Sequence, residues 1–220
     1  LMPRHLGLSR RKHLSAVAQG WLAVGALVLL LVIVPLRHVI LDSSGLAIGL
    51  ALVLVAALSV GLGMVFEWKS AWCSGLCPVY PVELLYGEEP LLSVKNAHCR
   101  TCENCVMPCK DGTPDLHPAN AAQGKPALIS GLILTGGFPG FIWGWYQVPT
   151  YEGWQGFYNL HVAYGFPLAA MAASLCAFMG VRAMLKPDYH RTLVRVFAAA
   201  AVIVYYWFKA PVMLGFGADP

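Results

Sequence analysis

The sequence predicts an all-α polytopic membrane protein of about five transmembrane helices with a cysteine-rich loop on the cytoplasmic side. Three observations predict it. Of 220 residues, 58% are hydrophobic and 12% charged, whereas an average soluble domain is roughly 25% charged. The apolar residues fall in long unbroken runs instead of alternating, and a run of roughly 18 or more spans a ~30 Å hydrocarbon core as a helix. Six of the 7 cysteines crowd into the longest polar stretch.

The first two spans, residues 14–36 and 43–66, carry no charge and are long enough to cross with some tilt. The third, 126–147, ends in Trp143, Trp145 and Tyr146, amphipathic rings of the kind that settle at a lipid–water boundary. The fourth covers about 157–181. The fifth, about 194–214, needs Lys209 to snorkel or to face protein. Gly136, Gly137, Pro139 and Pro167 read as packing features of spans three and four. The first segment exceeds the roughly 7–15 apolar residues of a signal peptide and reads as a retained anchor. The chain thus divides into 1–66, two helices with a basic N-terminus; 67–125, the cysteine-rich loop; and 126–220, three helices.

Alternating five spans puts the N-terminus, the 67–125 loop and the 182–195 connection on one side. Of 15 Lys and Arg, only Arg37 and Lys209 fall on the other, so the positive-inside bias makes the loop cytoplasmic and the C-terminus periplasmic. The expected location is the bacterial inner membrane. Cytoplasmic thiols stay reduced, which favours metal ligation over disulfides. The basic residues sit at helix ends and form no stripe interleaved with aromatics, so membrane lipid is the expected partner and nucleic acid is not.

Within the loop, Cys73 and Cys77 lie between Trp72 and Pro78, and Cys99, Cys102, Cys105 and Cys109 follow as C-x2-C-x2-C-x3-C. The second group has the bacterial ferredoxin spacing, in which three closely spaced thiolates wrap one four-iron cluster. A short, turning backbone can aim three sulfurs at three corners of a small cluster. A structural zinc site also takes four thiolates, but zinc ribbons separate their paired cysteines by a dozen or so residues. The spacing therefore favours iron–sulfur over zinc and over a disulfide.

On these residues the chain resembles the membrane-bound ferredoxin-type proteins related to the NapH quinol dehydrogenase subunit and the C-terminal membrane part of NosR. The matching features are Trp72, Cys73, Cys77 and Pro78 directly after a membrane helix, then the Cys99 to Cys109 motif, together covering roughly residues 45–110. The resemblance implies cytoplasmic four-iron clusters that pass electrons between the quinone pool and a reductase pathway. Family members usually carry two copies of each motif, and this chain has one of each, with Pro108 before Cys109 in place of a proline after it. Two all-cysteine four-iron clusters need about eight thiolates, and the loop has six. In one scheme Cys77, Cys99, Cys102 and Cys105 hold a single 4Fe–4S cluster. In the other, Cys73, Cys77 and Cys109 serve a second cluster completed by a partner, water, His98 or His117. One cluster is favoured slightly over two. Cys176, alone in the fourth span, reads as a small buried hydrophobe.

A second site is sought among polar groups in the membrane, which are costly there and often functional. His38 and His161 lie at the outer ends of the first and fourth spans, with Tyr158, Asn159 and Tyr164 near His161. The grouping suits a quinone or quinol pocket and, less well, a pair of axial ligands to haem b. Interfacial His, Tyr and Trp are nevertheless common simply for being amphipathic, and that plainer reading ranks first. The short aromatic loop 148–156 is large enough to dock a partner and too small to be a catalytic domain.

The function that follows is an electron-transfer subunit, relaying electrons between quinol or a partner redox protein and a respiratory enzyme inside a larger redox complex. A maturation factor that reduces a metal or haem is the alternative, and a structural subunit with a cluster-stapled loop a third. Phosphate-binding glycine loops, nucleophile elbows, zinc-protease motifs and a Rossmann fingerprint are all missing from the sequence, which leaves hydrolase, nucleotide-driven and nicotinamide-dependent readings without support.

Overall fold

Long apolar runs in which every backbone group must find a partner without water leave the helix as the available structure. The computed structural model describes residue 10 and residues 16–66, 69–86 and 124–216. Its elements are α1 (Ala16–Leu36), a π-helical turn (Arg37–Leu41), α2 (Gly45–Val65), a second π-helical turn (Lys69–Leu76), α3 (Tyr80–Tyr86), α4 (Gly124–Tyr146), α5 (Gln155–Tyr158), α6 (Leu160–Met184), a 3-10 turn (Pro187–Tyr189) and α7 (His190–Met213). Five of these helical stretches are long and apolar enough to cross a membrane. Exposed Leu50, Val53, Ile203 and Trp207 show apolar side chains turned outward, as a hydrocarbon solvent permits.

The chain forms two compact units. The first draws on Leu1–Leu30 and Leu50–Gly131. Its core holds Ala26 and Leu27 of α1, Ala71 of the second π-turn, and Tyr80 and Leu85 of α3. Gly25 lets α1 approach that π-turn, since a Cβ there would sit 3.0 Å from Leu76 Cδ1.

The second unit draws on Leu31–Gly49 and Leu132–Pro220. Here α4 and α6 run antiparallel in contact along a glycine stripe. A Cβ on Gly136 would meet Phe178 at 2.7 Å, one on Gly140 would run into the Ala170 carbonyl, and one on Gly144 would meet the Phe166 carbonyl at 2.8 Å. Small residues four apart are how membrane helices gain close packing when hydrophobicity cannot drive them together. Pro139, inside α4, has no N–H to offer the preceding turn, and Ser174 Oγ of α6 donates to the neighbouring Gly136 carbonyl at 2.6 Å. α7 packs through Phe197 on Phe178 (ring centroids 4.9 Å) and through Phe208 on Tyr146 (4.7 Å). It ends in a Schellman motif: Gly215 at φ 77°, Phe216 N–H to the Pro211 carbonyl and Gly215 N–H to the Val212 carbonyl.

The spans agree with the sequence reading to within a few residues. α7 starts at His190 because Arg191 and Arg195 are helical although polar. α6 starts at Leu160 because residues 155–158 form their own short helix. The 67–125 stretch is not all loop: it opens with the second π-turn and α3.

Candidate iron–sulfur ligands and a buried histidine

Cys73 lies within the second π-turn and Cys77 just past its end. The turn closes with the Cys77 N–H donating to the Trp72 carbonyl at 2.9 Å, and the Tyr80 N–H returns to the Cys77 carbonyl at 3.0 Å, starting α3. Pro78 cannot donate to that turn, and its fixed φ suits the tight bend between two helical pieces. The C-x3-C-P motif is therefore a structural corner at which Cys77 is partly exposed and its thiol is free of any disulfide. Thiolate is the donor that iron–sulfur clusters take, so Cys77 fits that use. Next to it, burial pushes the Tyr80 hydroxyl up to about 12. Cys99, Cys102, Cys105 and Cys109 lie outside the described residues, as do His98 and His117. Cys176 is a free thiol on α6, exposed and not buried; it faces outward from the α4–α6 contact.

In the second unit, the sequence-predicted histidines have different settings. His38 is 4% exposed, held inside the first π-turn. Its Nδ1 lies 3.2 Å from Thr150 Oγ1, the Trp145 ring packs on it with centroids 4.8 Å apart, and its carbonyl accepts from the Tyr151 N–H at 2.9 Å. Its Nε2 is buried and has no hydrogen-bond partner among the described residues that meets strict geometry, although the Trp145 backbone lies close enough to act on the ring. His161 is exposed on α6, and Tyr158 is 82% exposed at the end of α5. Tyr164 is partly buried, and its hydroxyl donates to the Val32 carbonyl at 2.8 Å.

The π-turn exists for a local reason. Pro35, inside α1, removes one helical donor and crowds the turn before it, and the bonds beyond it widen, so that Asp42 N–H reaches back five residues to the Arg37 carbonyl. Two carbonyls beside Pro35 also accept from other helices: Trp145 Nε1 donates to Val34 at 3.2 Å, and Tyr164 Oη to Val32. Val39 of the turn, Val148 and Ala163 form a small core beneath. Gly156 sits so close to the Val39 backbone that no side chain fits there. Arg37 bonds Asp42 at 3.0 Å and lies over the Trp145 ring. Ser44 then caps α2 by accepting from Ala47 N–H at 3.2 Å.

Trp145 and Thr150 were not singled out as site residues by sequence. Trp145 reads as one of three belt aromatics, and only its neighbour Trp143, 48% exposed, behaves as one. The pairing with His38 joins residues more than a hundred apart, which no local pattern announces.

The fold and site define an all-α chain with five membrane-length helices and a C-x3-C-P corner after the second of them. The chain is 31% identical over 133 residues to the methylamine utilization ferredoxin-type protein MauN of Paracoccus denitrificans, a match covering 57% of this chain and 47% of MauN. The chain thus spans about half the length of the curated relative it matches. No family model matches, and no solved structure does.

Proposed function

We propose that this chain is a membrane-bound electron-transfer subunit that holds a 4Fe–4S cluster on its cytoplasmic cysteine loop and relays electrons between quinol, or a partner redox protein, and a respiratory enzyme. The observation that carries the reading is the ferredoxin spacing of Cys99, Cys102, Cys105 and Cys109 downstream of the Cys77-Pro78 corner. It is supported by the free, partly exposed Cys77 thiol and by similarity to a protein named ferredoxin-type. Cys77, Cys99, Cys102 and Cys105 are the proposed ligands of one cluster, with Cys73 and Cys109 available to a second. The cluster, when bound, supplies one-electron transfer. The chain's helices anchor it in the bacterial inner membrane, where it serves as a component of a larger redox complex.

The test is iron and acid-labile sulfide per chain on anaerobically purified protein, with low-temperature EPR before and after dithionite. About four of each with one reducible signal supports the single-cluster scheme, and about eight of each brings in Cys73 and Cys109. Stoichiometric zinc without iron refutes electron transfer.

A further inference from the structure

We propose that the connection between α6 and α7 is a binding site for an anionic phospholipid, its phosphodiester held by Arg182, Lys186, Arg191 and Arg195 and an acyl chain laid along α7. The proposal needs only the membrane-length helices and is independent of the electron-transfer reading. These four cations fall within residues 182–195, and Asp188 is the single acid anywhere from residue 160 to residue 216. α6 and α7 are both long and apolar enough to cross a membrane, and only residues 185–189 join them. Their connection therefore lies at a bilayer surface, at the depth of lipid phosphates.

Two contacts fix this end of the helix pair. His190 Nε2 is 3.1 Å from the Arg182 carbonyl; a carbonyl can only accept, so this nitrogen carries the proton and donates it. One turn deeper, the Phe178 and Phe197 rings meet edge to face. Arg182, in the last turn of α6, and Arg191, in the first turn of α7, are thereby held at the same end. Lys186, Arg191 and Arg195 are exposed, and Arg182 is partly so.

Beyond the cations, α7 offers what an acyl chain takes. Arg191, Arg195, Ala199, Val202 and Tyr206 recur at helical spacing on one face, and all five are exposed. From Arg195 to Tyr206 the helix rises about 16 Å, the depth of one leaflet of a ~30 Å hydrocarbon core. A face that is cationic at the surface and largely apolar through one leaflet matches a charged head with a chain below it, which neither a soluble anion nor an acidic protein segment supplies. Guanidinium groups pair with phosphate oxygens through two parallel N–H bonds, and basic sites at the ends of membrane helices take anionic head groups. A choline or ethanolamine head group would bring its own ammonium among these cations, and a glycerol head group does not. The occupant is therefore of the phosphatidylglycerol class.

The experiment reconstitutes the full chain in phosphatidylcholine vesicles and measures, by EPR at pH 7.5, the relative association of spin-labelled phosphatidylglycerol and phosphatidylcholine. Wild type is expected to prefer phosphatidylglycerol about 10-fold. Arg191→Gln with Arg195→Gln lowers that preference about 5-fold, the worth of one cation at an anionic surface after screening, and so does Arg182→Gln with Lys186→Gln. Asp188→Asn, whose effect cannot come from loss of fold, raises it at least 2-fold. Lys125→Gln, an exposed cation at the start of α4, leaves it within about 1.5-fold. A wild-type preference under 2-fold, an equal fall in Lys125→Gln, or no rise in Asp188→Asn overturns the site, the second because it shows diffuse surface charge. Displacement of the labelled lipid by about 10 mM glycerol 1-phosphate overturns the lipid assignment in favour of free phosphate.

Discussion

Replacing Gly140 by alanine adds one methyl where α4 meets the backbone of α6. The new Cβ would lie 2.6 Å from Ser174 Cβ and 2.7 Å from the Ala170 carbonyl carbon, closer still to the Ala170 oxygen. Carbon–carbon contacts are comfortable at about 3.5–4.0 Å, so the helices must separate by roughly 1 Å. Backbone cannot swing aside as a side chain tip can. A gap of about 0.5–1 Å forfeits a quarter to a half of each dispersion contact, and the pairs at stake include Phe178 against Gly136 and Met171 against Gly137. Overpacking typically costs about 1–3 kcal/mol, and a backbone obstacle places this change in the upper half, about 2–3 kcal/mol. Reversible unfolding in mixed micelles by sodium dodecyl sulfate titration reads the difference. Gly165→Ala on α6 is the control: nothing lies within 4 Å of its Cβ, and alanine gains about 0.5–1 kcal/mol of helix propensity over glycine. If Gly140→Ala unfolds within 0.5 kcal/mol of wild type, or later than Gly165→Ala, the close approach of α4 and α6 is wrong.

Three further outcomes are expected. Ser174→Ala leaves the Gly136 carbonyl without its side-chain donor and should destabilise by about 1–2 kcal/mol in the same titration; no loss would mean the carbonyl is otherwise satisfied. Tyr80 has its hydroxyl raised to about 12 by burial, so the folded state holds the proton more tightly than the unfolded chain. Its contribution is therefore intact below pH 10 and is lost as pH rises through 12, by up to about 2–3 kcal/mol. Tyr80→Phe should flatten that alkaline decline in unfolding titrations run at successive pH values, and an unchanged slope would show that Tyr80 ionises freely. Cys77→Ser should lower bound iron and abolish or shift the reduced EPR signal, whereas Cys176→Ser should change neither; iron unaffected by Cys77→Ser excludes Cys77 as a ligand.

What the sequence made legible follows from how membrane burial works. Uncharged length alone identifies α1, α2, α4 and α6, because a helix in hydrocarbon needs no amphipathic pattern. Hydropathy is a poor judge of helix ends: Arg37 and His38 continue the first span as a π-turn past its apolar limit, and Arg191 and Arg195 open the last one earlier than its apolar limit. Gly136 and Gly137 were readable as packing features, whereas Gly140, Gly144 and the partner helix were not. His38 was visible as a polar group at a span end; its burial was not, since that depends on Trp145, Thr150 and Gly156 arriving from distant sequence. Cys73 and Cys77 were singled out by spacing, and the π-turn that holds Cys73 and ends just before Cys77 has no signature in hydropathy.

The carbonyls of Val32 and Val34 accept hydrogen bonds from Tyr164 and Trp145, and that of Gly136 accepts one from Ser174. Each of these two proline-containing helices thus accepts from a donor that lies later in the chain. Two of the three carbonyls lie on α1, where Val34 accepts from α4 and Val32 from α6, and the third lies on α4 and accepts from α6. The three bonds are consequently completed in the order of synthesis, one when α4 joins α1 and two only when α6 follows, so a chain that stops before residue 164 lacks the last two.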